Sequence, residues 1–231
     1  MQKVIVLLLL MAGYFFYSHV GPAQKYDKAI TQTLATLKGF GPGSKVRIFS
    51  LDMPITYTLI EKLKMRGIEY EFIDVNRIKG QSFQNMQVET NLDDIPVYPA
   101  MKSRGLVDPK GFSLPVIGFS NGEGLPYEAF NTFLKTIPIT DMHPGKKKPY
   151  ITVYGTNVCA YTAKTVQQLK EKNIPFEFLD LNSKPEHMGQ VDARIGESGN
   201  TFLGRDLPFV EVNGNVLSRP SLQEIESRLL H

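Results

Sequence analysis

The 231 residues contain a single cysteine, Cys159, in the stretch NVCAYT, three residues before Thr162. One thiol cannot close a disulfide within its own chain, so the chemistry open to it is that of a nucleophile. A thiolate attacks a disulfide sulfur and leaves a mixed disulfide behind. The strand-like run YITVYGT comes directly before Cys159, and AYTAKTVQQLKEK, with apolar residues at helical spacing, directly after. A cysteine at such a strand-to-helix turn faces free backbone N–H groups and the positive end of the helix dipole, and both favour thiolate over thiol. Thr162 lies one turn on along the same helix face, where its hydroxyl can donate to the sulfur but cannot bond to it. A lone cysteine is more often a small buried hydrophobe. The strand, turn and helix around this one favour a reactive thiol.

The elements that must position this turn occur twice. Residues Val46 to Asn76 align with Ile151 to Asn182, with one extra residue in the second loop. In that register Met53 faces Cys159, Thr56 faces Thr162, and Phe72-Ile73-Asp74 faces Phe178-Leu179-Asp180. Further on, LPVIGFSNG (Leu114 to Gly122) meets LPFVEVNG (Leu207 to Gly214), and each copy closes with a short helical pattern, PYEAFNTFL or PSLQEIESRL. Each copy reads as strand, helix, strand, helix, hairpin, helix. A parallel strand–helix–strand unit with an added hairpin makes a small α/β sandwich on a four-stranded mixed sheet. Asn213-Gly214 is a strong hairpin-turn signal. The expected organisation is an N-terminal hydrophobic segment (1–23), a leading helix and linker (24–44), a first domain without a cysteine (45–139), a linker rich in Pro, Gly and Lys (140–149) and a second domain (150–231). Asp93 to Phe112, dense in Pro, Gly and charge, reads as an elaborated loop rather than core. Met53 reads as a filler, since a thioether cannot exchange disulfides; Asp74 and Asp180 read as turn residues.

Composition narrows the function classes. With 42% hydrophobic and 21% charged residues and a formal net charge of +3, the chain has material for real cores and no field that calls for nucleic acid. Lys146-Lys147-Lys148, beside Pro144 and Gly145, reads as a solvated linker. A single cysteine rules out a disulfide scaffold and a cysteine-rich zinc site, and the 4 histidines are scattered, so no metal is expected. At the N-terminus, Lys3 precedes an apolar run from Val4 to Tyr17 and the small residues Gly21-Pro22-Ala23. That is the layout of a secretory signal cleaved after Ala23, or of a membrane anchor. The body is expected outside the cytoplasm, periplasmic or otherwise extracytoplasmic, and held at the membrane if the segment is retained.

The second copy, with VYGTNVCAYT, GRDLPFVEV and NGNVLSRPSLQEI, resembles the glutaredoxin branch of the thioredoxin superfamily, its closing region most like mycoredoxin-type members. The resemblance implies two tandem thioredoxin-like domains of glutaredoxin type, each a four-stranded mixed sheet flanked by helices, with a degenerate first copy carrying MPIT at the active-site position. It makes Cys159 the nucleophile with Thr162 beside it, and Pro208 the family's cis-proline. Leu207 would offer its backbone to the glutathione peptide, Tyr161 would line the glutathione groove, and Arg205 matches a basic residue before the cis-proline. Ser221, at the start of the last helix, joins this glutathione-side set. The chain departs from the family pattern at Ala160 (usually proline), Thr156 (often lysine), Asp206 (usually threonine) and Arg219-Pro220-Ser221 (usually containing a Gly-Gly pair). The implied activity is monothiol thiol–disulfide exchange on glutathione or protein mixed disulfides, with glutathione as co-substrate and thiol-containing proteins as partners. Two other readings accompany it: a non-catalytic envelope module that binds proteins through glutaredoxin-like folds, and a carrier of a glutathione-ligated iron–sulfur cluster. Ala160-Tyr161, where cluster-binding members favour Gly-Phe, argues against the last.

Overall fold

The computed structural model describes residues 26–77, 95–107, 114–142, 144–145, 147, 149–198 and 206–230. The hydrophobic N-terminal segment, Arg205 and, of the lysine run, Lys146 and Lys148 therefore lie outside the described residues. Among those described, no helix is long and apolar enough to cross a membrane.

Residues 26–36 are helical and are taken as α1. The chain then runs β1 (Lys45–Ser50), α2 (Pro54–Lys64), β2 (Glu69–Asp74), α3 (Tyr98–Ser103), β3 (Val116–Phe119), β4 (Gly124–Pro126) and α4 (Tyr127–Leu134). It continues with β5 (Ile151–Gly155), α5 (Ala160–Glu171), β6 (Glu177–Asp180), α6 (Pro185–Glu197), β7 (Phe209–Val212), β8 (Asn215–Ser218) and α7 (Leu222–Leu229). Two four-stranded sheets result, ordered β2-β1-β3-β4 and β6-β5-β7-β8. The same connectivity is thus used twice.

In the second sheet β5 pairs parallel with β6, Gly155 opposite Asp180, and antiparallel with β7, Tyr154 opposite Phe209. All five residues of β5 are buried, as a central strand covered on both faces requires. Alternate residues feed two cores. Ile151, Val153, Leu169, Val210, Val212 and Ile225 pack together on one side, and Tyr154, Leu181, Val191, Phe209 and Val216 on the other. The β7–β8 hairpin turns at Asn213 and Gly214, both with positive φ (49° and 101°), the backbone that an Asn-Gly pair accommodates.

The stretch from Asp93 to Phe112 departs from its reading as a loop outside the core. Its described part holds α3, and Ile95, Val97, Tyr98, Met101 and Leu106 are all buried. Pro99 is tolerated because it falls in the first turn, where its missing N–H is not needed. Nearby, Arg104 and the Thr36 hydroxyl both reach Glu123, at 2.5 Å each.

By its contacts the chain divides into two compact units. One takes the residues up to Phe40, Lys45–Phe49 and Glu71–Lys135; the other takes Gly41–Ser44, Ser50–Tyr70 and Thr136–His231. The second unit is therefore discontinuous in sequence and includes α2. There α2 packs against α6, and Gly189 sits at the closest approach, where a Cβ would overlap Tyr57 and the Pro54 carbonyl. Around this seam the charged side chains are buried and paired. Arg194 lies 3.3 Å from Glu61 and 3.7 Å from Glu211, and it donates to the Met142 carbonyl. Arg66 bonds Glu197 at 2.8 Å and the Ile137 carbonyl at 3.0 Å. Tyr154 donates to Glu211 at 2.8 Å. Buried charge is tolerated when each group finds an opposite charge and its hydrogen bonds.

Candidate active site

Cys159 is the N-cap of α5, with the extended backbone (φ −85°, ψ 117°) that this position takes. Its N–H donates to the Thr156 carbonyl at 3.1 Å, and its carbonyl accepts from the Ala163 N–H at 3.0 Å, closing the first helical turn. The thiol makes no capping hydrogen bond and is partly exposed. Its pKa lies below that of an ordinary cysteine. The Thr162 hydroxyl is the largest cause, followed by the Thr162 N–H; burial opposes them, and the Tyr161 N–H and, least, the Arg219 charge add to the lowering. Thr162 is 2% exposed, and its Oγ1 has no partner of ordinary hydrogen-bond geometry. Cys159 and Thr162, expected to act together from their spacing, are together in the structure.

Gly155 makes room for that threonine. A Cβ at residue 155 would lie 2.5 Å from both Thr162 Oγ1 and Cγ2, too close for a β-branched side chain with one stiff χ1 to absorb. Gly155→Ala is therefore expected to displace the hydroxyl and raise the Cys159 pKa. Since the folded pKa would rise, the thiolate fraction at a given pH would fall, and the onset of thiol reactivity would move to higher pH. A pH titration of thiolate absorbance, wild type against variant, checks this.

The other lip of the site comes from the β7–β8 hairpin and its flanks. The Leu207–Pro208 peptide bond is cis, Pro208 is buried, and its carbonyl accepts from the Arg219 N–H at 2.8 Å. Arg219 lays its guanidinium over the Tyr161 ring, 4.0 Å from the centroid, so Tyr161, 53% exposed, is held from one face. The same guanidinium reaches the Leu207 carbonyl through Nε at 3.4 Å and Asp206 through Nη2 at 3.3 Å. Tyr161, Leu207 and Pro208 are thus drawn together by Arg219. Sequence reasoning noted this residue only as a departure from the family pattern; its signal was a lone base at the exit of the hairpin.

Ser221 is differently engaged. It caps α7 in a reciprocal box: its Oγ accepts from the Glu224 N–H, while its own N–H donates to Glu224 Oε2 at 2.7 Å. The N–H that an incoming carboxylate could use is taken by one from the same helix. Asp180 is the last residue of β6, and its carboxylate holds the turn that follows. It accepts from Asn157 at 2.6 Å and from the Asn182 N–H at 3.0 Å, tying the loop before Cys159 to the end of β6. A cavity of about 640 Å³ opens beside the same turn, lined by Thr156, Asn157, Thr162, Val166, Phe176 and Phe178 among others. Among the described residues no cluster of three or more His, Cys, Asp or Glu side chains could hold a metal ion.

Residues 151–217 match the family model for glutaredoxin. No curated protein and no solved structure matches the chain. The matched segment runs from β5 nearly to the end of β8 and contains Cys159, Thr162 and the cis-proline. That segment is similar to the glutaredoxin family, and both sheets are four-stranded, mixed and flanked by helices.

Proposed function

We propose, on the premise that residues 151–217 form a glutaredoxin domain, that this protein is a monothiol thiol–disulfide oxidoreductase acting through Cys159. The observation that carries the reading is the thiol at the N-cap of α5, its pKa held down by a threonine hydroxyl with no other partner. The Cys159 thiolate attacks one sulfur of a mixed disulfide. A new S–S bond forms on Cys159 as the substrate's S–S bond breaks, and the departing sulfur leaves with the electron pair and takes a proton from solvent. One disulfide replaces another, with no net oxidation. Thr162 stands where a resolving cysteine would be needed, so a second small thiol, glutathione by analogy with the family, must attack the Cys159 disulfide to regenerate the thiolate. The physiological substrates are glutathionylated or otherwise mixed-disulfide proteins.

In this reading the first sheet is a duplicate that has kept the fold without the chemistry. Its support is the shared strand order, a cis Leu-Pro bond before the third strand of each sheet (Leu114–Pro115 and Leu207–Pro208), and Met53 as N-cap of α2 where Cys159 is N-cap of α5. Such a copy is suited to binding a protein partner. The hydrophobic N-terminal segment supports placing both sheets outside the cytoplasm.

The test is direct. Mixing the reduced protein with a small glutathione mixed disulfide near neutral pH should add one glutathionyl group to Cys159, seen by mass, and release a matching amount of free thiol. An unmodified protein whose urea-unfolded form reacts normally would show that the fold shields the sulfur rather than activating it, and the reading would be withdrawn.

A further inference from the structure

We infer that Arg219 determines specificity at the Cys159 site, receiving the carboxylate of disulfide substrates that carry an anionic group close to the reacting sulfur. The inference rests on the exchange reading above and names the substrate class it would favour.

Arg219 is held in place from several sides. Its φ of +46° is in the left-handed region, which side chains other than Gly and Asn seldom adopt, and its N–H is pinned to the Pro208 carbonyl. A strained backbone kept beside a reactive group points to function. The side chain is then fixed by the Tyr161 ring beneath it and by the Leu207 carbonyl. Stacking and a carbonyl bond order a guanidinium without consuming its charge, and its planar face and several N–H donors suit both contacts at once better than the compact ammonium of a lysine.

The charge is close enough to the sulfur to help lower the thiol pKa, yet it stays open to a ligand. Its ionic partner, Asp206, has a side chain 64% exposed and that of Arg219 is 43% exposed. Exposed pairs of this kind are weak and exchangeable. Nη1 makes no hydrogen bond among the described residues, so an incoming carboxylate can use it and then replace Asp206 on Nη2 in the two-pronged geometry that guanidinium favours. Among the described residues, the other cation beside the turn, Lys170, lines the cavity together with Glu171, a carboxylate that offsets it. Glu224 occupies the Ser221 N–H at the start of α7, and Thr156, in the same cavity, is uncharged. Arg219 takes no part in the movement of electrons; it sets which disulfide is presented to the thiolate.

Two measurements test this. First, Cys159 is alkylated with iodoacetate (anionic) and with iodoacetamide (neutral), in wild type, Arg219→Gln, Arg219→Lys and Asp206→Asn, each at a pH where the sulfur is fully ionised. Second, exchange is followed with a carboxylate-bearing aromatic disulfide and with an amine-bearing aliphatic one. Arg219→Gln should lower the anionic-to-neutral alkylation ratio and the anionic-to-cationic exchange ratio by roughly five- to tenfold each, the size of one nearby charge at a partly exposed site. Asp206→Asn should raise both ratios, Arg219→Lys should retain part of the preference, and added salt should flatten it. If Asp206→Asn and Arg219→Lys, which do not depend on tolerance of the glutamine variant, leave both ratios at their wild-type values, Arg219 is structural and the inference fails. If alkylation shows the preference but neither disulfide exchanges, Arg219 keeps its assignment as the anion-receiving group and the oxidoreductase reading is the one overturned.

Discussion

Replacing Cys159 with serine should abolish disulfide exchange completely while leaving the protein folded. The loss is total because an oxygen cannot form the S–S bond on which the reaction depends, and no second cysteine exists to take over. The fold is spared because the thiol packs little and makes no capping hydrogen bond. Serine is among the preferred residues at an N-cap, where its oxygen accepts from the backbone two or three residues on. The variant should therefore equal the parent in stability or exceed it by up to about 1 kcal/mol. Exchange assays and thermal melts on the same preparation read both halves of the prediction. Residual exchange in the serine variant, or inactivity that accompanies unfolding, would make the thiol a structural residue and shift the function to partner binding.

The largest expected effect on stability is at the other side of the same unit. Arg194 is nearly buried between Glu61 and Glu211, and Glu211 is 1% exposed in the middle of β7. Arg194→Met keeps much of the volume but leaves the buried Glu211 carboxylate without its cation and Glu61 with Lys64 alone. Breaking a buried ion pair from one side costs about 3 to 5 kcal/mol, most of it the penalty of the stranded charge. Urea unfolding followed by circular dichroism should show that loss. The double variant that also carries Glu211→Met should recover a large part of it, since it removes the stranded carboxylate with its cation and leaves Glu61 on Lys64. A single variant as stable as the parent would mean that the cluster is hydrated in solution.

These two sites differ in how far the sequence reveals them. Cys159 and Thr162 are legible because their geometry is local: a strand, a turn and a helix start fix the sulfur and the hydroxyl within one turn, whatever the rest of the chain does. The Asn213-Gly214 hairpin is legible for the same reason, its two positive φ angles being a property of the dipeptide. Arg219 was legible only as an oddity, because its contact with Tyr161 exists once the hairpin has brought residues far apart in sequence together. Glu211 interrupts an apolar strand, and simple alternation would send it to solvent; it is buried because Tyr154 and Arg194 meet it there. The segment around α3 misled for a compositional reason. Pro, Gly and charge outnumber its apolar residues, but Ile95, Met101 and Leu106 suffice to bury one face.

The discontinuity of the second unit bears on the order in which the chain can mature. Glu61 and Arg194 are 133 residues apart, so a chain emerging N-terminus first presents α2 long before α6 exists. During that interval Glu61, Lys62 and Arg66 have no α6 to pair with, and β1 and β2 can begin a sheet whose neighbouring helix is still unpartnered. Contacts of such long sequence separation are the slow ones in folding. Release of the last third of the polypeptide is therefore the event that completes the second unit. A ribosome stalled in the 140–149 segment would hold a nascent chain with α2 made and its seam unfilled, a form suited to capture by a chaperone.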